Sequence, residues 1–192
     1  MRFEDFKRLL TEVEELGEGW RGKVYKAIYN GKRVTVKVAK SPEKIKAIQK
    51  EADILEKLKG FEGFPQIITK GEDFFLYEFI EGKPYGKLKL NEEEKKRILR
   101  EVLEKAYTLD KLGINRDEFS DIRKNVLVDE KGKVYVIDFD RGTFKKNPSN
   151  VRQFLQILRR EGFISREEAI ELGKRYKKNP DEVIQEIRKL LT

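Results

Sequence analysis

The chain has 192 residues, 38% of them hydrophobic and 41% charged, and its 43 basic against 35 acidic side chains leave a formal net charge of +8. It holds neither cysteine nor histidine, which excludes disulfides, thiolate metal cages, thiol nucleophiles and any Ser-His-Asp arrangement, so catalysis must run on Asp, Glu, Lys, Asn or backbone amides and a metal must be bound by oxygen, magnesium being the natural choice. The longest uncharged stretch is Gly63 to Thr69 and the start, Met1-Arg2-Phe3-Glu4-Asp5, is charged where an export leader would be apolar, so the expectation is a cytoplasmic protein without a membrane span.

In chain order, Phe3, Phe6 and Leu10 have near-helical spacing and predict a short amphipathic helix over 2–10. Residues 12–17, 23–29 and 33–39 alternate as strands, and Asn30-Gly31 is a hairpin turn between the last two. Ser41-Pro42 reads as an N-cap followed by Pro at the first helical position, opening a helix with Ile45, Ile48, Ala52, Leu55 and Leu58 on one face and a stop at Gly60. Strands near 65–69 and 74–79 follow, and this β-rich part ends near Gly82. Beyond it, Asn91-x-x-Glu94 is a capping-box start for a long helix to about Leu112, with Gly113 as its stop. Val126-Leu127-Val128 and Val134-Tyr135-Val136-Ile137 flank a turn and form a hairpin, and helices follow at about 150–160, 166–177 and 180–191. Ser165-x-x-Glu168 and Asn179-Pro180-x-Glu182 mark the starts of the last two helices.

Three features carry chemistry. Gly17-Glu18-Gly19-Trp20-Arg21-Gly22-Lys23-Val24 fits G-x-G-x-x-G-x-V. Because it runs into a strand rather than a helix, it suits a β-hairpin flap whose backbone amides cover nucleotide phosphates, the alternative being a plain flexible hairpin tip. Lys37 lies on the strand face opposite Val34, Val36 and Val38, and Glu51 on the following helix is placed to hold it as a fixed cation for those phosphates. At the open end of the later hairpin, Asn125 falls nearly opposite Ile137 and Asp138, so an amide oxygen and a carboxylate emerge side by side as magnesium ligands. The alternative is an ordinary turn Asn and a strand-end Asp.

In this order the motifs resemble the protein-kinase-like family in its small atypical branch, over residues 16–140. The resemblance rests on the glycine loop, Val34-Thr35-Val36-Lys37, Glu51, Tyr77-Glu78-Phe79-Ile80-Glu81-Gly82, Asn115-Arg116-Asp117, Asn125 and Asp138-Phe139. It implies an α+β, bilobal protein-kinase-like fold: an antiparallel β N-lobe with one αC-type helix (1–82) and a reduced helical C-lobe (83–192). It further implies that Gly17, Gly19, Gly22, Val24 and Lys37 bind ATP, Glu51 holds Lys37, and backbone groups of Glu78 and Ile80 read the adenine edge. Asn125 and Asp138 then hold Mg2+, and Asp117, with Asp121 in reserve, orients the acceptor hydroxyl.

The chain departs from the family pattern at three places. Asn115 replaces the histidine of H-R-D, Asp117 lies eight residues before Asn125 rather than five, and Asp140 stands where D-F-G has its glycine. No A-P-E signature follows, leaving little room for a peptide-positioning segment. In its place residues 141–192 carry 13 basic and 7 acidic side chains. In length and motifs the chain is similar to the small archaeal kinases that phosphorylate a ribose 2′-hydroxyl of tRNA, and next to the minimal RIO-like kinases. That similarity implies a protein that binds tRNA through Lys145, Lys146, Arg152, Arg159, Arg160, Lys174, Arg175, Lys177 and Lys178; the sequence leaves the oligomeric state open, a monomer being the expectation. A minimal Ser/Thr protein kinase and a non-catalytic nucleotide-binding module are the alternatives. The high charge and lack of cysteine also resemble hyperthermophile composition.

Overall fold

A computed structural model describes all 192 residues and divides the chain into two compact units, Met1–Glu81 with Ile137–Gly142, and Gly82–Val136 with Thr143–Thr192. The architecture is α+β, with a five-stranded antiparallel sheet and six α-helices. The first unit thus takes in the segment holding Asp138 and Asp140 besides the chain up to Glu81.

In the first unit, α1 (Phe3–Phe6) tightens into a 3-10 turn at Lys7–Leu9, so the expected single helix over 2–10 is split. A helix this short is marginal without packing, and its last turn gives way to the tighter form. Strands β1 (Thr11–Glu18), β2 (Gly22–Tyr29) and β3 (Lys32–Ala39) form a meander, and α2 (Ile45–Lys57) precedes β4 (Ile67–Lys70) and β5 (Phe74–Glu78). The sheet order is β1-β2-β3-β5-β4. The β2–β3 turn places Asn30 at φ 49° and Gly31 at φ 76°, the left-handed pair a two-residue hairpin requires. The edge strand β1 is exposed throughout, charged, and interrupted by two register shifts, features that disfavour pairing with another sheet edge.

Alternation along β3 sends Val34 and Val36 into a core with Phe6, Leu10, Ala27, Phe74 and Leu76, under α1. The neighbours Thr35 and Lys37 point to the opposite face and are also buried. There α2 brings up Ile48, Glu51, Ala52 and Leu55. Ser41 does not cap this helix with its hydroxyl, which bonds Glu43 instead, and a 3-10 turn at Pro42–Lys44 leads into it.

The second unit begins with the two-residue β6 (Lys83–Pro84) and the long α3 (Glu92–Leu112), which has the expected capping box between Asn91 and Glu94 and a left-handed Gly113 after its last turn. Then come β7 (Ile114–Asn115), β8 (Val126–Val128), β9 (Val134–Val136), β10 (Thr143–Phe144), α4 (Asn150–Arg160), α5 (Arg166–Lys178) and α6 (Pro180–Leu190). The β8–β9 register pairs Val126 with Val136, the ribbon the apolar runs predict. β6, β7 and β10 are too short for a periodicity to reveal. Asn179 makes no side-chain cap on α6. No helix is long and apolar enough to cross a membrane.

Candidate active site

The first unit concentrates charge around one lysine. Lys37 Nζ donates to Glu51 Oε1 at 2.7 Å and to Asp140 Oδ1 at 3.4 Å, with only 10% of the Lys37 side chain and 6% of that of Glu51 exposed. Sheet register aligns Gly17 with Val24 and Val24 with Lys37, so the glycine-rich turn springs from strands directly beside this lysine. Burial disfavours the ammonium, but the charges of Glu51, Asp138 and Asp140 outweigh it and hold Lys37 above its ordinary range. Burial pushes Glu51 up in turn, against the pull of Lys37. A desolvated pair of this kind is costly to assemble, and removing one partner costs about 3–5 kcal/mol. Such a pair is weak grounds for stability, so its place beside a glycine turn points to chemistry.

The loop itself closes through Gly19 N donating to Gly22 O at 2.8 Å. A Cβ on Gly22 would meet Val38 O at 2.7 Å, so the strands pack only because that residue is glycine, whereas Gly17 has nothing within 4 Å and Gly19 only Gly22 O at 3.8 Å. The last two therefore leave backbone open to an approaching ligand. Trp20 at the tip is 74% exposed, with Lys44 Nζ 4.6 Å from the centre of its ring.

Asp138 occupies the left-handed region at φ 67°, and its Oδ1 accepts from Asp140 N at 3.0 Å. A non-glycine residue pays about 1 kcal/mol or more for that conformation, which Asp tolerates better than most and which clusters at functional sites. The chain forms no preassembled cluster of three acidic ligands. A single carboxylate and an amide oxygen nonetheless suit Mg2+, which keeps its waters and is carried largely by the phosphates it accompanies. In the first unit Asp138 offers such a carboxylate.

At the end of β5, Glu78 N is already bonded to Gln66 O and Phe79 N to Arg33 O, while the Ile80 N–H has no acceptor in the chain. The Phe79 ring has two cations near it, Lys26 Nζ at 4.7 Å and Arg33 Cζ at 5.2 Å from its centre. Of the two residues expected to read adenine, Ile80 thus retains a donor, whereas the N–H of Glu78 is taken.

In the second unit, Asp117 is exposed and also left-handed, at φ 68°. Its loop is pinned from below. The wholly buried Asn150 accepts from Arg116 N at 2.9 Å and donates to Ile114 O at 2.6 Å and Asp110 Oδ1 at 2.8 Å. Asn115, standing where the family has histidine, accepts from Ser149 N and Oγ and so ties the loop to the start of α4. Asp121 is differently placed. It accepts from Arg123 N, Nε and Nη2, and those bonds hold its carboxyl down at about 2. An acid that weakly basic and already in use is a poor proton acceptor.

The residues not foreseen are Asp140 as a partner of Lys37, Arg21 as a partner of Asp140 at 3.1 Å, and Asn150. Asp140 was visible only as a deviation from D-F-G, and its pairing with Arg21 spans 119 residues, beyond any local pattern. Among the basic residues of the last quarter, Arg175 is not a free cation, since Glu171 and Glu186 both pair with it.

No protein-family model matches the chain. It is 32% identical over 142 residues to a Bacillus subtilis protein named "Putative serine/threonine-protein kinase YrzF". The match takes in 73% of this chain and 64% of that relative, so the chain spans somewhat under two thirds of the curated protein it matches. This similarity supports a kinase-like relationship.

Proposed function

We propose that the protein is an ATP- and Mg2+-dependent phosphotransferase that passes the γ-phosphate to a hydroxyl. The observation that carries this reading is the buried Lys37–Glu51 pair, with Asp138 adding to its field, beside an open glycine turn. The kinase name of the Bacillus relative agrees with it. In this reading Lys37 and the loop amides bind the phosphates, the Ile80 N–H and Glu78 carbonyl meet the adenine, Asp138 and Asn125 hold the metal, and Asp117 orients the acceptor. The metal offsets charge on the phosphates, and everything else is positioning, which is most of what phosphoryl transfer needs.

For the acceptor we favour a ribose 2′-hydroxyl of tRNA. The second unit presents exposed Lys145, Lys146, Arg159, Arg160, Lys174, Lys177 and Lys178, none in an ion pair, and lacks a peptide-positioning A-P-E segment. A protein hydroxyl is the second reading, favoured by the relative's name. Incubation with γ-labelled ATP, Mg2+, total tRNA and a protein mixture, followed by separation, decides between them: label in tRNA is expected, and label in protein alone selects the second. The Lys37→Met variant should label neither, its rate falling roughly 10³-fold or more. Wild-type protein that labels nothing would remove the phosphotransferase reading.

A further inference from the structure

Asp140 is held like a bound anion. Lys37 Nζ reaches its Oδ1 at 3.4 Å, and Arg21 Nη1 reaches its Oδ2 at 3.1 Å and its backbone oxygen at 3.2 Å. One cation comes from the middle of β3 and the other from the tip of the glycine-rich turn, each taking a different oxygen of the same carboxylate. Arg21 pairs with no other carboxylate, and its side chain is 31% exposed. Both ends are braced: Arg21 O accepts from Lys40 N at 3.2 Å, and Gly142 N donates to Phe139 O at 2.9 Å to close the turn around Asp140.

Three carboxylates, Glu51, Asp138 and Asp140, act on Lys37. With Arg21 that makes two cations against three anions, a balance that admits a further polyanion poorly. Glu51 is buried and Asp138 is bonded to the turn, so Asp140 is the carboxylate best able to give way. We propose that Asp140 is a resting counter-ion occupying the place of a nucleotide phosphate, and that Arg21 is a second phosphate-binding cation, released to the ligand when phosphate displaces Asp140. The exchange swaps one anion for another on two cations and breaks no covalent bond. It sets a threshold for occupancy: a ligand must outcompete a tethered carboxylate, so each added phosphate is favoured over a bare nucleoside. Arginine suits this role, since its planar fork accepts a carboxylate and a phosphate in the same geometry.

The inference rests on the reading of the first unit as a nucleotide site, and its test separates the two. Affinities of the full chain for AMP, ADP and ATP with Mg2+ are measured by calorimetry for wild type, Arg21→Ala, Arg21→Lys, Asp140→Asn and Arg21→Ala/Asp140→Asn, with thermal melts verifying folding. Arg21→Ala should weaken ATP about 10-fold, the size of a lost charge-assisted contact, with a smaller loss for AMP, and Arg21→Lys should recover part of it. Asp140→Asn should tighten ATP several-fold, and the gain should shrink when Arg21 is already alanine. If Asp140→Asn weakens ATP, the carboxylate is a clamp or a metal ligand and the exchange is wrong. Unchanged affinity in Arg21→Ala also overturns it while leaving the nucleotide reading intact. Wild-type protein that binds none of the three nucleotides removes both.

Discussion

Two aspartates four residues apart in sequence have opposite surroundings, and under the proposed function the difference favours Asp117 over Asp121 as the one that orients an acceptor. Asp117 is exposed, conformationally strained and bonded to no side chain, whereas Asp121 is occupied by three donors of Arg123, and the charge of Arg160 on α4 adds to the pull. The sign of the effect is plain: a carboxyl lowered to about 2 from an ordinary value near 3.9 stays ionised throughout the working range and gives up its small contribution to stability only as pH falls toward 2. An acid limb in a rate profile well above pH 2 therefore belongs to another group. Steady-state kinetics should show Asp117→Asn reducing kcat about 10³-fold and Asp121→Asn leaving it within a few-fold. The reverse ranking would assign the role to Asp121. Sequence spacing alone left the pair open, because hydrogen bonds from Arg123 are invisible in a one-dimensional pattern.

At the level of elements, the loop bearing Asp117 depends on a buried polar joint between α3 and α4. Asp110, at the C-terminal end of α3, accepts from Asn150 N, Asn150 Nδ2, Val151 N and the Tyr176 hydroxyl. Burial pushes its carboxyl up, and those donors pull it back. Asn150→Leu would strand Ile114 O, Arg116 N and one lone pair of Asp110, costing about 2–4 kcal/mol and lowering Tm by roughly 10 °C in a thermal melt. Asp117 should lose its placement as well, so kcat should fall at temperatures where the variant is still folded; a melt shifted by a degree or two would mean the joint is unimportant. Elements of this kind were legible where local rules act alone. Asn30-Gly31, the boxes at Asn91/Glu94 and Ser165/Glu168, the Gly113 stop and the β8–β9 register all follow from neighbours in sequence. Ser41 and Asn179 have the right residue type but do not cap, since the hydroxyl of Ser41 found Glu43 and Asn179 sits at φ −134°, ψ 70°. Lys37 and Glu51 were legible as a pair because strand alternation and helical spacing both point inward. Arg21, Asp140 and Asn150 were not, because their partners are 119 and about 34 residues away.

Across the whole molecule, the charge is uneven in a way that bears on the acceptor. The net +8 arises mostly from residues 141–192, with 13 basic and 7 acidic side chains, all but Arg141 and Gly142 in the second unit. Surface cations already neutralised by protein carboxylates release no counterions on binding a polyanion, and those without partners do. Arg175, paired with Glu171 and Glu186, is the internal control, while Lys146 and Lys177 are exposed and unpaired. If tRNA docks on this surface, the plot of log affinity against log salt concentration is steep. Lys146→Ala and Lys177→Ala should each lower its slope by about one unit and weaken binding by about 1 kcal/mol. Arg175→Gln should leave the slope nearly unchanged, because the guanidinium it removes was already compensated. Filter binding or fluorescence anisotropy over roughly 50–200 mM salt reads both quantities at once. Equal slopes for all three variants would mean that the basic surface is only a solvated face, and the acceptor would then have to be sought among protein hydroxyls, where this charge has no part.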